Sequence, residues 1–295
     1  EMCIRDSNWS NNTFYTQYTD INENLANAVF YVITSDYNVY KCIDNNRGAN
    51  STVKPTGTST SIISTADNYR WKYMYTVSGA NVLKFLNNDW IPVQTLSSNN
   101  GTAQWTVQQN AANGAIHHIY VVANGKNYLS TTNTFVAVSN STTLKLSPSA
   151  SSANDVYNGS GIFISSGLGA GQLRKIVNYA GSNNTITVNS AFTTVPNTSS
   201  SYIISPLVTV RGDSGGTANS RCTAYVSNTF GGQVRKITVI STGRSYSTAN
   251  VTITANVGTG ATAKAVISPL NGHGSDAVDE LFGDSVMLDL RIAGN

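Results

Sequence analysis

The stretch Asn38–Val77, NVYKCIDNNRGANSTVKPTGTSTSIISTADNYRWKYMYTV, decides the fold class. Its two ends carry strand signals, and a polar middle with Gly48, Pro55 and Gly57 separates them as a turn-rich loop. In the second strand Tyr69, Trp71, Tyr73 and Tyr75 alternate with Arg70, Lys72 and Met74. Side chains of a strand point alternately to its two faces, so this spacing predicts four rings on one side. Such a row forms a core face or a subunit interface, because aromatics bury large areas while a tyrosine hydroxyl still reaches a partner. The competing reading is an exposed platform for stacking sugars.

Composition extends the same argument. Charged residues make up 11% of the 295, against roughly 25% in ordinary globular domains. Asn, Ser, Thr and Gly fill the difference. With 40% apolar residues and recurring strand-like runs, the chain is ordered and β-rich. A net charge of +3 is too weak to point to nucleic acid. No apolar run approaches the roughly 20 residues of a membrane-crossing helix, so no membrane partner is expected. Cys42 and Cys222 lack the CxxC or Cys/His spacing of a zinc site and read as small buried apolar groups. The opening EMCIRDS, residues 1–7, looks like a translated sequencing-adapter remnant and carries no weight for the fold.

Further along, AVFYVIT (Ala28–Thr34) is a strand signal, and Ser78–Trp90 reads as a short helix capped by Ser78. An internal repeat follows. Gly114–Tyr128, GAIHHIYVVANGKNY, and Gly232–Tyr246, GQVRKITVISTGRSY, share Gly114/Gly232, Ile119/Ile237, Val121/Val239, Gly125/Gly243 and Tyr128/Tyr246. Each copy leads through a glycine into another alternating run, so both are expected to be hairpins. A different β unit sits between them. The predicted organisation is therefore nested and mainly β: β-sandwich-like domains with a few short helices. An α+β enclosing domain takes 8–96 and 270–295, a β domain with the repeat takes 97–153 and 212–269, and an inserted β domain takes 154–211. Near the end, Ser275 is a helix cap, Asp276 suits the first turn, and Gly283 is a natural stop.

Chemistry is sparse. Gly212–Gly216, GDSGG, matches the nucleophile segment of chymotrypsin-like proteases at Ser214, but such a serine needs a histidine base and an aspartate to orient it. The only histidines upstream, His117 and His118, are strand neighbours that point to opposite faces, one expected in solvent and one packed. Arg211-Gly212-Asp213 as an adhesion tripeptide is equally weak. GLGAG (Gly167–Gly171) lacks the Lys-Ser/Thr of a phosphate loop and reads as a turn. His273 with Asp276, Asp279 and Glu280 is better explained by acidic residues at a helix start than by a metal. No catalytic residue, cofactor or metal is expected, and the chain is not read as an enzyme.

Several segments resemble one family, the baseplate wedge subunit encoded by the eighth gene of T-even-type contractile-tailed bacteriophages and their marine relatives. They are YVITSDYNVYKCIDNNRGANSTVKPTGTST (Tyr31–Thr60), YRWKYMYTV (Tyr69–Val77), VLKFLNNDWIPV (Val82–Val93), GHGSDAVDEL (Gly272–Leu281) and SVMLDLRI (Ser285–Ile292). NWSNNTFYTQYTD, residues 8–20, is similar to the family's Trp- and Tyr-bearing opening segment. This chain has Ala277 where the family commonly has proline, a position that suits a helix start. The resemblance implies a structural virion protein without catalytic residues or cofactors. It implies a homodimer within the tail baseplate, assembled in the bacterial host, whose partners are other wedge proteins. It also implies that the present chain is a fragment. The alternative, from composition and the aromatic row, is a tail-fibre or adhesin-like module that binds host surface glycans.

Overall fold

The computed structural model describes residues 1–5, 7–21, 24–213 and 221–290. The chain is mainly β and divides into two units, Glu1–His117 with Val266–Asn295, and His118–Ala265. The outer unit begins with β1 (Met2–Arg5). Then come β2 (Tyr31–Ile33), β3 (Asn38–Asp44), β4 (Ile63–Ser64), β5 (Arg70–Thr76), α1 (Gly79–Phe85), β6 (Trp90–Val93) and α2 (Ala103–Gln109). β3 and β5 pair directly, and the segment between them also supplies β4 on the far side of β5, in a sheet ordered β2-β3-β5-β4. Ser78 caps α1 as expected, its side chain accepting from the Asn81 N–H.

The inner unit is entered along β7 (Ile116–Lys126) and left along β19 (Thr259–Ile267). Between them lie β8 (Thr131–Thr134), β9 (Ala137–Val138), β10 (Thr143–Lys145), β11 (Gly161–Ser166), β12 (Leu173–Ala180), β13 (Thr185–Val188) and β14 (Ser201–Ser205). After these come β15 (Leu207–Gly212), β16 (Thr223–Phe230), β17 (Gln233–Ser241) and β18 (Ala249–Thr254). One sheet runs β8-β14-β11-β12-β13-β10-β9, the other β17-β16-β15-β18-β19-β7. The first has its own core, with Leu144, Ile162, Ile164, Ile176, Tyr179 and Tyr202 among its buried residues.

The chain returns to the outer unit through α3 (Ala277–Glu280) and β20 (Ser285–Val286). Met2–Arg5, within the opening segment set aside above, pairs in this unit. β1 is the central strand of a sheet ordered β20-β1-β6, with Cys3 and Ile4 fully buried. The backbone edges of β6 and β20 need a partner, and Met2–Arg5 pairs with both at once. Two caps also differ. Asp276, not Ser275, caps α3, accepting from the Asp279 N–H. The left-handed residue that ends this helix is Phe282, one before the expected Gly283.

The domain divisions fall at 117/118 and 265/266 rather than 96/97 and 269/270. The reason is α2, unforeseen in the sequence, which packs on β5 and so draws residues 97–117 into the outer unit. Likewise the seven-stranded sheet takes Thr131–Lys145 as well as Gly161–Ser205, where the sequence placed an insert at 154–211. The repeat copies are not hairpins either: β7 and β17 lie at the two ends of the six-stranded sheet, neither paired with the strand that follows it. They meet where the Tyr128 N–H donates to the Gly232 carbonyl at 2.9 Å.

Candidate functional site

All four rings of the decisive strand are buried: Tyr69 and Trp71 at 0% exposure, Tyr73 at 1% and Tyr75 at 2%. They do not share one face. Tyr69, Trp71 and Tyr73 join Tyr15, Val32, Tyr40, Cys42 and Val107 in one cluster. Tyr75 is outside it, its hydroxyl donating to the Pro92 carbonyl at 3.0 Å. A bulge is the cause. The neighbours Val39 and Tyr40 pair with Tyr75 and Tyr73, which leaves Met74 as an extra residue; an inserted residue reverses the alternation beyond it. The other hydroxyls are also tied down, Tyr40 to the Gly57 carbonyl at 2.8 Å and Tyr73 to Thr76 Oγ1 at 2.7 Å.

The opposite face of this sheet holds the chain's principal polar cluster. Lys41 on β3 sits directly opposite Lys72 on β5, and both are buried. Like charges placed opposite one another in a sheet repel, and burial makes each costly unless a counter-charge is present. Glu280, from the end of α3, supplies it: its Oε2 pairs with Lys41 Nζ, and both side chains are 1% exposed or less. Its Oε1 accepts from the Gly274 N–H at 2.7 Å. Lys72 Nζ donates to the Thr60 carbonyl at 2.6 Å. Lys41 Nζ also stands 4.8 Å from the centre of the Tyr18 ring, a cation–π arrangement.

His273 completes the cluster. Its ring lies edge-on to Tyr18 at 4.8 Å, and His117 is 5.5 Å away. Its Nδ1 is 3.8 Å from Glu280 Oε2, too far for a hydrogen bond. The flanking glycines make this approach feasible. A Cβ on Gly272 would lie 2.3 Å from the Ala112 nitrogen, and one on Gly274 2.5 Å from Val107 Cγ1. Both have positive φ, which glycine adopts freely.

Electrostatics follow from burial. Burial pulls Lys41 below its ordinary value, and Glu280 opposes that pull. Burial likewise lowers Lys72 to about 8, opposed by Glu280 and reinforced by Lys41. Burial would raise Glu280, but Lys41 foremost and His273 next hold it down at about 2, so the pair is ionised. Burial, with Lys72, Arg70 and Lys41, lowers His117 to about 4. Burial and Lys41 lower His273 to about 3 despite Glu280. The expected solvent-facing histidine is therefore absent: His117 is half-buried against His273, and His118 is buried. The arrangement joins residues 239 apart in sequence and leaves both imidazoles neutral. Its chemical capacity is to hold charge fixed, out of water.

The other sequence motifs are explained locally. Ser214 lies outside the described residues. Asp213 accepts from the Ser247 and Thr248 N–H groups at 2.9 and 2.8 Å and from the Ser247 hydroxyl, bracing a turn. Gly167–Gly171 links β11 to β12 as a turn. Among the described residues no three His, Cys, Asp or Glu side chains are grouped to hold a metal. Cys3, Cys42 and Cys222 are free and buried. Fold and site thus define a mainly β protein whose most unusual chemistry is a buried Lys41–Glu280 ion pair with a second buried lysine, Lys72, beside it. Comparison with protein-family models, with curated proteins and with solved structures finds no match for the chain.

Proposed function

We propose that this chain is a structural subunit of a phage tail baseplate wedge. On this reading it forms a homodimer in the virion, joins other wedge proteins during tail assembly, and shifts its contacts when the baseplate changes shape at infection. One observation carries the reading. The resemblance to the wedge family spans residues 8–295 and is weaker in the middle; its most specific segments fall in the outer unit, and three of them converge on one buried cluster: Lys41 from the first, Lys72 from the second, His273 and Glu280 from the fourth. Residues used in this way hold a framework rigid, as a connector subunit needs. Ala277, where the family commonly has proline, is the first residue of α3, a position where proline and alanine are both tolerated.

The glycan-binding alternative loses its main support, because Trp71 and its neighbours are buried within the chain itself. The test is reconstitution. The chain is co-expressed with the other wedge proteins encoded in the same phage genome, and complexes are separated by size and weighed by native mass spectrometry. The expected result is a defined complex containing two copies of this chain. Failure to enter any such complex, together with binding to host polysaccharide, would overturn the reading.

A further inference from the structure

Positive charge is concentrated in the inner unit. His118–Ala265 holds ten of the eighteen Lys and Arg but two of the fifteen Asp and Glu, a net of plus eight. The outer unit carries the other eight basic and thirteen acidic residues, a net of minus five, and together they make the chain's +3. The modest total therefore conceals a strongly basic unit. Charge asymmetry of this size within one chain is what an anionic partner selects.

Four of the ten cations gather at one end of the six-stranded sheet. Arg211, on β15, is directly opposite Asn250 on β18. The pairing of Val251 with Ala263 places Asn250 opposite Lys264 on β19. Directly opposed residues in antiparallel strands share a face, so Arg211, Asn250 and Lys264 form one row, and all three are exposed. Tyr246 brings in two more. Its hydroxyl accepts from the Cys222 N–H, next to Arg221, at 2.9 Å, and its ring packs on Gly212, next to Arg211. Arg244 is two residues before Tyr246, and both Arg221 and Arg244 are exposed.

No ion pair to any of these four cations is present among the described residues. The nearby acid, Asp213, is occupied by Ser247 and Thr248, and the sequence Ser214–Ser220 contains no acidic residue.

We infer that this end of the inner unit docks an acidic protein surface. Nucleic acid fits less well. The row beside the cations contains Thr209 opposite Thr252, with no ring on which a base could stack. A long polyanion would also meet a chain whose remaining residues are net acidic. A polar face edged with cations that make no ion pair among the described residues suits instead the rim of a protein interface, where charge sets partner choice and association rate.

The inference does not depend on the baseplate reading. The test is calorimetric titration of the full chain with poly-L-glutamate at low and high ionic strength. A variant combining Arg211→Ser, Arg221→Ser, Arg244→Ser and Lys264→Ser is compared with a control combining Lys126→Ser, Lys145→Ser and Lys175→Ser. The expected result is binding that salt abolishes and that the first variant weakens about tenfold or more, with the control little changed. No binding to poly-L-glutamate, or equal loss in variant and control, would overturn the inference. So would tighter binding to a DNA duplex of matched charge.

Discussion

At the scale of residues, the cluster around Lys41 is the feature most open to experiment. Removing one partner of a buried ion pair strands the other, so Glu280→Gln is expected to cost the outer unit about 3–5 kcal/mol in denaturant unfolding. Replacing both partners, Lys41→Met with Glu280→Leu, is expected to recover part of that loss but not all of it, because the desolvation of the pair disappears while Lys72 and the Gly274 N–H still lose the carboxylate. Trp71→Ala should cost about 3–5 kcal/mol by opening a cavity in the aromatic cluster. The histidines set the acid response. His117 and His273, at about 4 and 3 against 6.5, bind fewer protons folded than unfolded, so stability falls as pH drops from 6.5 toward 3. Glu280, at about 2 against 4.5, contributes stability above 4.5 that is lost as pH falls toward 2. Lys72 acts at the other end: at about 8 against 10.5, it makes stability rise between those values. Denaturation midpoints measured across pH should show both slopes, and the double variant His117→Asn with His273→Asn should flatten the acid one. A wild-type profile flat between pH 6.5 and 3 would contradict the buried, neutral histidines.

At the scale of elements, the repeat shows what a sequence reveals and what it hides. The matched positions adopt matched conformations: φ is 63° at Gly125 and 61° at Gly243, then 62° at Asn127 and 61° at Ser245. Tyr128 and Tyr246 are both buried, and each hydroxyl accepts from a backbone N–H, that of Ala261 at 3.1 Å and of Cys222 at 2.9 Å. Each ring also packs on a glycine, Gly258 and Gly212. The duplication is therefore structural, although the pairing inferred from it was not: β7 pairs with the distant β19, and β17 pairs with β16, the strand before it rather than the one after. Tyr128→Phe and Tyr246→Phe should each cost about 1–3 kcal/mol by leaving an N–H without its acceptor. Thermal unfolding of the two variants checks this, and a large effect from one alone would argue against equivalent roles. The bulge at Met74 was hidden for a similar reason: alternation in YRWKYMY is perfect, and only the partner strand introduces the extra residue.

At the scale of the whole molecule, the β class, the Ser78 cap and the buried cysteines were legible, since each follows from local composition or spacing. The division at 117/118 was not, because it depends on α2 packing against β5. The ionic cluster left one overlooked signal. Lys41 lies inside the apolar run VYKCI and Lys72 between rings, so two lysines in strands covered on both faces required a carboxylate from elsewhere. The proposed baseplate role makes its sharpest claim here, about the number of chains that assemble. Light scattering on a sizing column, with the chain alone and across concentration, measures that number directly. The account predicts a stable dimer; a trimer, as a fibre or adhesin would form, or a monomer at every concentration, would contradict it.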